Sequence, residues 1–364
     1  MKRDWKQRYL LAAVISIAAN PGMEEGPQAR AQEPGEWCQT YEAWVAKVGQ
    51  RGGAGEACPT EGTCDTPAVR DSWIPEASTP IVTIRIKFNV FCEDDGTNCA
   101  ASPSDVAAQM TQLNSDYAPY HVQFTETIAA EYIPDSASRV IEPESFGDAV
   151  EAMRNDYADD PAHQLNVYVT GFPENFGGIA TFPWDPDVLG NQGGILLNET
   201  VFGAGREILT HESGHSLGLW HTHHGVSEFY DGFGNPLPCF QDEDPCDCPC
   251  YERADGVDGD ITGDFASDTP PTPVRFSCSD PPGHDLCSVP PTPWAPTQPE
   301  NYMSYGGDSC WTLFTPQQAG RTHCWIREVL MGWIACSADV DCDDRNEWGM
   351  CRSWVLNRPA SCRV

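Results

Sequence analysis

The chain has 364 residues, long enough for one large domain or two modest ones, and its 54 acidic against 21 basic side chains give a formal charge of −33. Such a surface repels nucleic-acid phosphates and anionic membrane faces, and favours cationic partners, metal ions included. Seventeen cysteines are stable as disulfides only in an oxidising compartment.

The opening MKRDWKQR is basic, and YLLAAVISIAA follows it before Asn20 and Pro21. This is the pattern of a secretory signal, too short to span a bilayer, with Ala29-Arg30-Ala31 as the expected cleavage site and Ala19 as the weaker alternative. The expected organisation is a signal peptide over 1–31, a prosegment or linker over 32–79, a catalytic domain over 80–335 and a Cys-rich extension over 336–364. No internal repeat is evident, and the protein is expected to be soluble and secreted, with no membrane insertion.

Order is expected from residue 80. In IVTIRIKFNV, Val82, Ile84, Ile86, Phe88 and Val90 alternate with polar residues, the pattern of a half-buried strand. Ser102 and Pro103 then open a helix whose apolar face is Val106, Met110, Leu113 and Tyr117. HVQFTETI, QLNVYVTG, GGIATFPW and GGILLNET read as further strands, and Phe146, Val150, Met153 and Tyr157 line a second helix. After about Val226 the chain is rich in Pro, Gly, Asp and Cys until a last helix capped by Thr315. These elements imply an α+β fold, a mixed sheet backed by helices above an irregular, disulfide-stapled half.

Residues 211–221 read HESGHSLGLWH. On a helix His211 and His215 share a face, and Gly218 can take a left-handed conformation that ends the helix and returns His221 as a third ligand. Three neutral imidazoles leave a fourth position for water, the arrangement of catalytic zinc, which lowers the pKa of its water to roughly 7. Glu212 stands beside the ion as the base. An amphipathic helix with surface histidines is the plainer alternative, but this composition yields the pattern by chance on the order of once in 10,000 chains. His223 and His224 fit no ligand spacing and read as loop residues.

HESGHSLGLWH matches the HExxHxxGxxH signature of the metzincin zinc peptidases, and Met303 in NYMSY supplies their methionine turn. Within that clan the sequence resembles the pappalysin family at GDFASDTP, NYMSYGGDSC, FTPQQAGR, NVYV and GIATFPW, over roughly residues 80 to 335. It departs at His223, where the family is usually aromatic, and in an acidic, Cys-rich insertion at about 239–260.

The resemblance implies a metzincin-type catalytic domain of two subdomains, with a twisted mixed sheet above a zinc-binding helix. It implies a zinc endopeptidase acting on protein or peptide substrates, with His211, His215 and His221 as ligands, Glu212 as base and Met303 beneath the metal. Tyr305 stands where several metzincins place a tyrosine that reaches the zinc or the oxyanion; a packed turn aromatic is the equal alternative. GIATFPW is expected at the upper cleft edge, pairing with an extended substrate. Asp308 is expected to make the primed side acidic.

The resemblance also implicates Asp264, Asp268 and Thr269 as calcium ligands, against a solvated acidic loop; an EF-hand is rejected because the twelfth position is Thr269. It implies a Cys278–Cys310 bridge. A Cys239–Cys287 bridge is also expected, with Cys246, Cys248 and Cys250 competing for Cys287.

Three of the 17 cysteines, Cys38, Cys58 and Cys64, precede the first strand, and the 14 that remain are an even set. Cys64 in GTCDTP lies closest to the catalytic domain and resembles the cysteine-containing switch segments of some metzincins, which implies a thiolate that blocks the zinc, with Cys38 paired to Cys58 and processing at Arg70. In the alternative, all three form ordinary bridges. The rival functional class is a secreted calcium- or zinc-stabilised binding module with a structural metal site, which would have no use for Glu212.

Overall fold

A computed structural model of the chain describes residues 37–38, 58, 60–172, 176–228, 246 and 248–335. The expected signal peptide, Cys239 and the 336–364 extension lie outside the described residues. No helix among them is long and apolar enough to cross a membrane.

The architecture is α+β, as the alternation of apolar patterns implies. Strand β1 (Trp37–Cys38) precedes helix α1 (Pro67–Ser72), and β2 (Val82–Cys92) leads into helix α2 (Pro103–Tyr117). Next come β3 (Val122–Glu126), β4 (Glu131–Pro134), helix α3 (Phe146–Tyr157), β5 (Leu165–Thr170), β6 (Phe176–Ala180) and β7 (Ile195–Asn198). These seven strands form one sheet in the order β1-β6-β7-β5-β2-β3, with β4 also on β2. The run from β7 through β5 and β2 to β3 is parallel, whereas β6 is antiparallel to β7 and carries β1 parallel on its outer side.

Strand β2 is central, not half-buried. Val82, Ile84, Ile86, Phe88 and Val90 join the core beneath α2, at Val106, Leu113 and Tyr117. On the opposite face Phe91, Tyr168 and Leu196 pack against Val150 and Met153 of α3. The polar positions Lys87 and Asn89 between them are therefore also buried, and they are paired: Lys87 with Glu131 at 2.9 Å and Asn89 with Asn166 at 3.3 Å. Both later helices that had capping signals start where expected, with a Ser102–Asp105 capping box on α2 and a Thr315–Gln318 box on the final helix, α5 (Pro316–Glu328).

The segment 60–79 is not a linker. Cys64 is buried and disulfide-bonded to Cys324 of α5, and the neighbouring Asp65 carboxylate is ion-paired with the buried Arg321 guanidinium. Arg70, fully buried, donates to the Phe265 carbonyl and to Asp260 at 2.7 Å. The expected thiolate switch at Cys64 is thus overturned, because a sulfur in a disulfide offers no thiolate, and the expected processing point at Arg70 is enclosed by the fold. Cys58 is joined to Cys250 and not to Cys38.

Below the sheet, Cys278 is bonded to Cys310, while Cys287 takes Cys246 in place of the expected Cys239. A two-stranded ribbon, β8 (His284–Asp285) with β9 (Thr292–Pro293), is the regular element of this region.

Removing one partner of a buried ion pair leaves the other charge uncompensated. Asp65→Ala is therefore expected to lower stability by about 3–5 kcal/mol in chemical denaturation with all disulfides intact. An unchanged denaturation midpoint would mean that residues 60–79 only lie on the surface.

Candidate metal centre

Helix α4 (Ile208–Ser216) is buried along its whole length, between the sheet and the lower half of the chain. Ile208 and Leu209 anchor it in the core, and its Thr210 is fixed to α2 through Asp116 Oδ2 at 2.6 Å and through Tyr117, whose hydroxyl donates to the Thr210 carbonyl at 3.1 Å. The helix ends as the sequence suggests. Gly218 has φ +98°, and a Cβ there would strike the Trp325 ring, so both the backbone angle and the close approach require glycine.

His211, His215 and His221 converge with their Nε2 atoms 3.0 to 3.2 Å apart. Each ring is turned by its other nitrogen: His211 Nδ1 donates to the Tyr302 carbonyl at 2.5 Å, His215 Nδ1 to the Leu219 carbonyl at 2.8 Å, and His221 Nδ1 to the Glu228 carboxylate. Carbonyl oxygens only accept, so the Nδ1 atoms carry the protons and the Nε2 lone pairs face one another. Burial holds all three rings below the usual histidine range, the neighbouring imidazoles adding to it at His211 and His215 and Glu228 opposing it at His221, so they are neutral. Three bare nitrogens meeting at one point repel unless a cation lies between them. Their separations are those that bonds of about 2.0–2.1 Å to one ion would span. The donor set fits zinc.

Met303 is fully buried, and its sulfur lies against the backbone of Gly214, between the two helical histidines; a Cβ at 214 would have no room. Its carbonyl accepts from Thr222 N at 3.0 Å, which ties the methionine turn to the segment carrying His221. Trp311 stacks on His211 with centroids 5.1 Å apart. Tyr305 is half-buried, edge-on to His221 at 4.7 Å and against Phe276 at 5.5 Å. The Glu212 carboxylate is buried beside β6, where a Cβ on Gly178 would come within 2.7 Å of it. Asp308 accepts from Glu207 N at 2.9 Å and from Arg206 at 3.1 Å, at the start of α4.

Of the expected calcium ligands, Asp264 and Thr269 are buried together and joined by a 2.6 Å hydrogen bond, and Asp268 accepts from Gln317 N at 2.9 Å. Sequence reasoning missed Glu252, which is 1% exposed and adjacent to Asp264. Burial pushes both carboxyls upward, and the charge of Asp264 pushes Glu252 further. Glu228 was also missed, although its position just after the HTHH run was a usable signal.

Two helix-borne histidines and a third delivered beyond the helix, with a glutamate beside the first and a methionine turn beneath, match the arrangement of a metzincin metal centre. No family model matches the chain. Human pappalysin-1 is 36% identical over 188 residues, which are 50% of this chain and 10% of that protein. An extracellular metalloprotease of the fungus Colletotrichum graminicola is 28% identical over 261 residues, 66% of this chain and 76% of the relative. Mature mirolysin of Tannerella forsythia, solved with a cleaved peptide, has a TM-score of 0.48 and 19% identity over 67% of this chain and 91% of that one. In sequence the chain is thus similar to pappalysin-1 and to fungal extracellular metalloproteases. It spans about a tenth of pappalysin-1 itself.

Proposed function

We propose that the protein is a secreted zinc endopeptidase that hydrolyses internal peptide bonds. The single observation that carries this reading is the convergence of three deprotonated Nε2 atoms beside Glu212. His211, His215 and His221 would hold a zinc ion, which would supply a Lewis acid for the scissile carbonyl and acidify a water. Glu212, one position after His211 and shielded by β6, takes the proton of the attacking water and passes it to the leaving amine. Tyr305, packed on His221, is assigned the role of donor to the developing oxyanion. Met303 supports the two helical histidines and touches no substrate. Secretion is supported by the signal-like start and by fungal relatives named as extracellular metalloproteases. Catalysis is preferred to a structural metal module because a buried glutamate beside the tripod has no use in one.

Activity should disappear with a zinc chelator and return with zinc. Glu212→Ala removes the base and no ligand, so it should keep its zinc while the rate falls about 10²- to 10⁴-fold. Normal turnover by that variant would exclude this mechanism.

Calcium is assigned to the neighbourhood of Asp264, Asp268, Thr269 and Glu252. A carboxyl raised in the folded state holds a proton that the unfolded chain releases, so without calcium stability should fall as pH rises from about 4 upward through the raised native values. Calcium supplies the missing positive charge. Millimolar calcium should raise the melting temperature of zinc-loaded protein and flatten this pH slope; no shift would leave a solvated acidic loop.

Latency, which Cys64 cannot supply, is assigned to the strand at β1. With β1 along the outer side of β6, an extended substrate cannot add to that edge. A chain beginning at residue 58 should therefore cleave a peptide substrate faster than the full chain, and equal rates would dismiss latency.

A further inference from the structure

On the far side of His221 from the tripod, three imidazoles meet one carboxylate. Glu228 has a side chain only 6% exposed; its Oε1 accepts from His221 Nδ1 and lies 3.4 Å from His223 Nε2, and its Oε2 lies 3.1 Å from His224 Nδ1. The rings are fixed independently of that carboxylate. His223 stacks on His221 at 4.8 Å and 9°, and His224 stacks on Trp220 at 4.2 Å and 2°. Tyr305 closes the group edge-on to His223 at 4.5 Å. A turn in which His224 N donates to the His221 carbonyl at 3.0 Å and Ser227 N to the His223 carbonyl at 3.0 Å folds Glu228 back over His221.

The other two tripod rings are oriented by backbone carbonyls, which impose a tautomer without a charge. His221 alone has a full negative charge behind it. A buried carboxylate is costly unless it is compensated, and a charge hydrogen-bonded to the distal nitrogen makes an imidazole a stronger donor to a metal. We infer that Glu228 is a positioning residue that aims His221 and tightens the tripod's hold on its ion, with His223 and His224 as the clamp that keeps the carboxylate in place. This inference rests on the zinc reading of the tripod. It gives His223 and His224, legible in sequence only as loop residues, a shared task. The set His221, His223 and Glu228 is close enough to hold an ion of its own. That would require His221 to give up its Nδ1 proton, which the hydrogen bond to Glu228 uses.

The test is a zinc titration of zinc-free, full-length protein against a chromophoric chelator. The wild-type chain should bind one zinc. Glu228→Ala should weaken binding about 10- to 100-fold, and Glu228→Gln, which keeps the shape and an acceptor but not the charge, about 10-fold. His224→Phe, which retains a ring on Trp220 but releases Oε2, should lose less than either. The zinc-free melting temperature of Glu228→Gln should stay near that of the wild type, which a merely structural role would not allow. Wild-type affinity in both Glu228 variants overturns the inference and leaves the tripod standing, as does an affinity loss matched by zinc-free destabilisation of Glu228→Gln. Two zinc ions per chain overturn it in favour of a second site. A wild-type chain that binds no zinc overturns both readings.

Discussion

Three imidazole lone pairs pointed at one another, inside a protein and away from water, are the constraint around which this structure is arranged. Every ring needs a partner for its outer nitrogen, or it would rotate away or change tautomer. The Tyr302 and Leu219 carbonyls and the Glu228 carboxylate supply those partners from three different parts of the chain. The methionine turn is therefore more than a floor: through Tyr302 it orients one ring, and through Met303 it fills the space against Gly214 that a larger helix residue would occupy. The turn after α4 likewise works twice, since the backbone reversal at Gly218 both delivers His221 and brings the Leu219 carbonyl to His215.

Much of this was legible in the sequence where the information is local. The spacing of His211, Glu212, His215, Gly218 and His221 is read within eleven residues, and the helix caps at Ser102 and Thr315 declare themselves by residue type. Periodicity found the β2 strand but not its place in the sheet. Lys87 and Asn89 mark an outward face in sequence, and only the partners Glu131 and Asn166, brought by other elements, make their burial tolerable. Strands as short as β1 and β4 carry too few residues for any period to show.

What stayed hidden was long-range. Nothing near Cys64 says that its partner is Cys324, and the low-periodicity character of 32–79 hid the role of Asp65 and Arg70 as counter-charges for groups almost two hundred residues or more away. Counting cysteines gave parity, not connectivity, and so could not show that Cys246 and not Cys239 meets Cys287. Glu252 looked like one acid among many because charge density in a sequence does not separate solvated carboxylates from enclosed ones.

The Cys64–Cys324 bridge spans a sequence separation of 260, and Cys58–Cys250 spans 192. Together they tie the beginning of the folded chain to its last helix and to its lower half. A backbone cut between residues 65 and 323 therefore separates nothing: the two pieces remain one covalent molecule. Such a nicked chain, heavier by only the water of each cut, would migrate with the intact one until its disulfides were reduced, so damage in the exposed loops would accumulate unseen in a non-reducing gel.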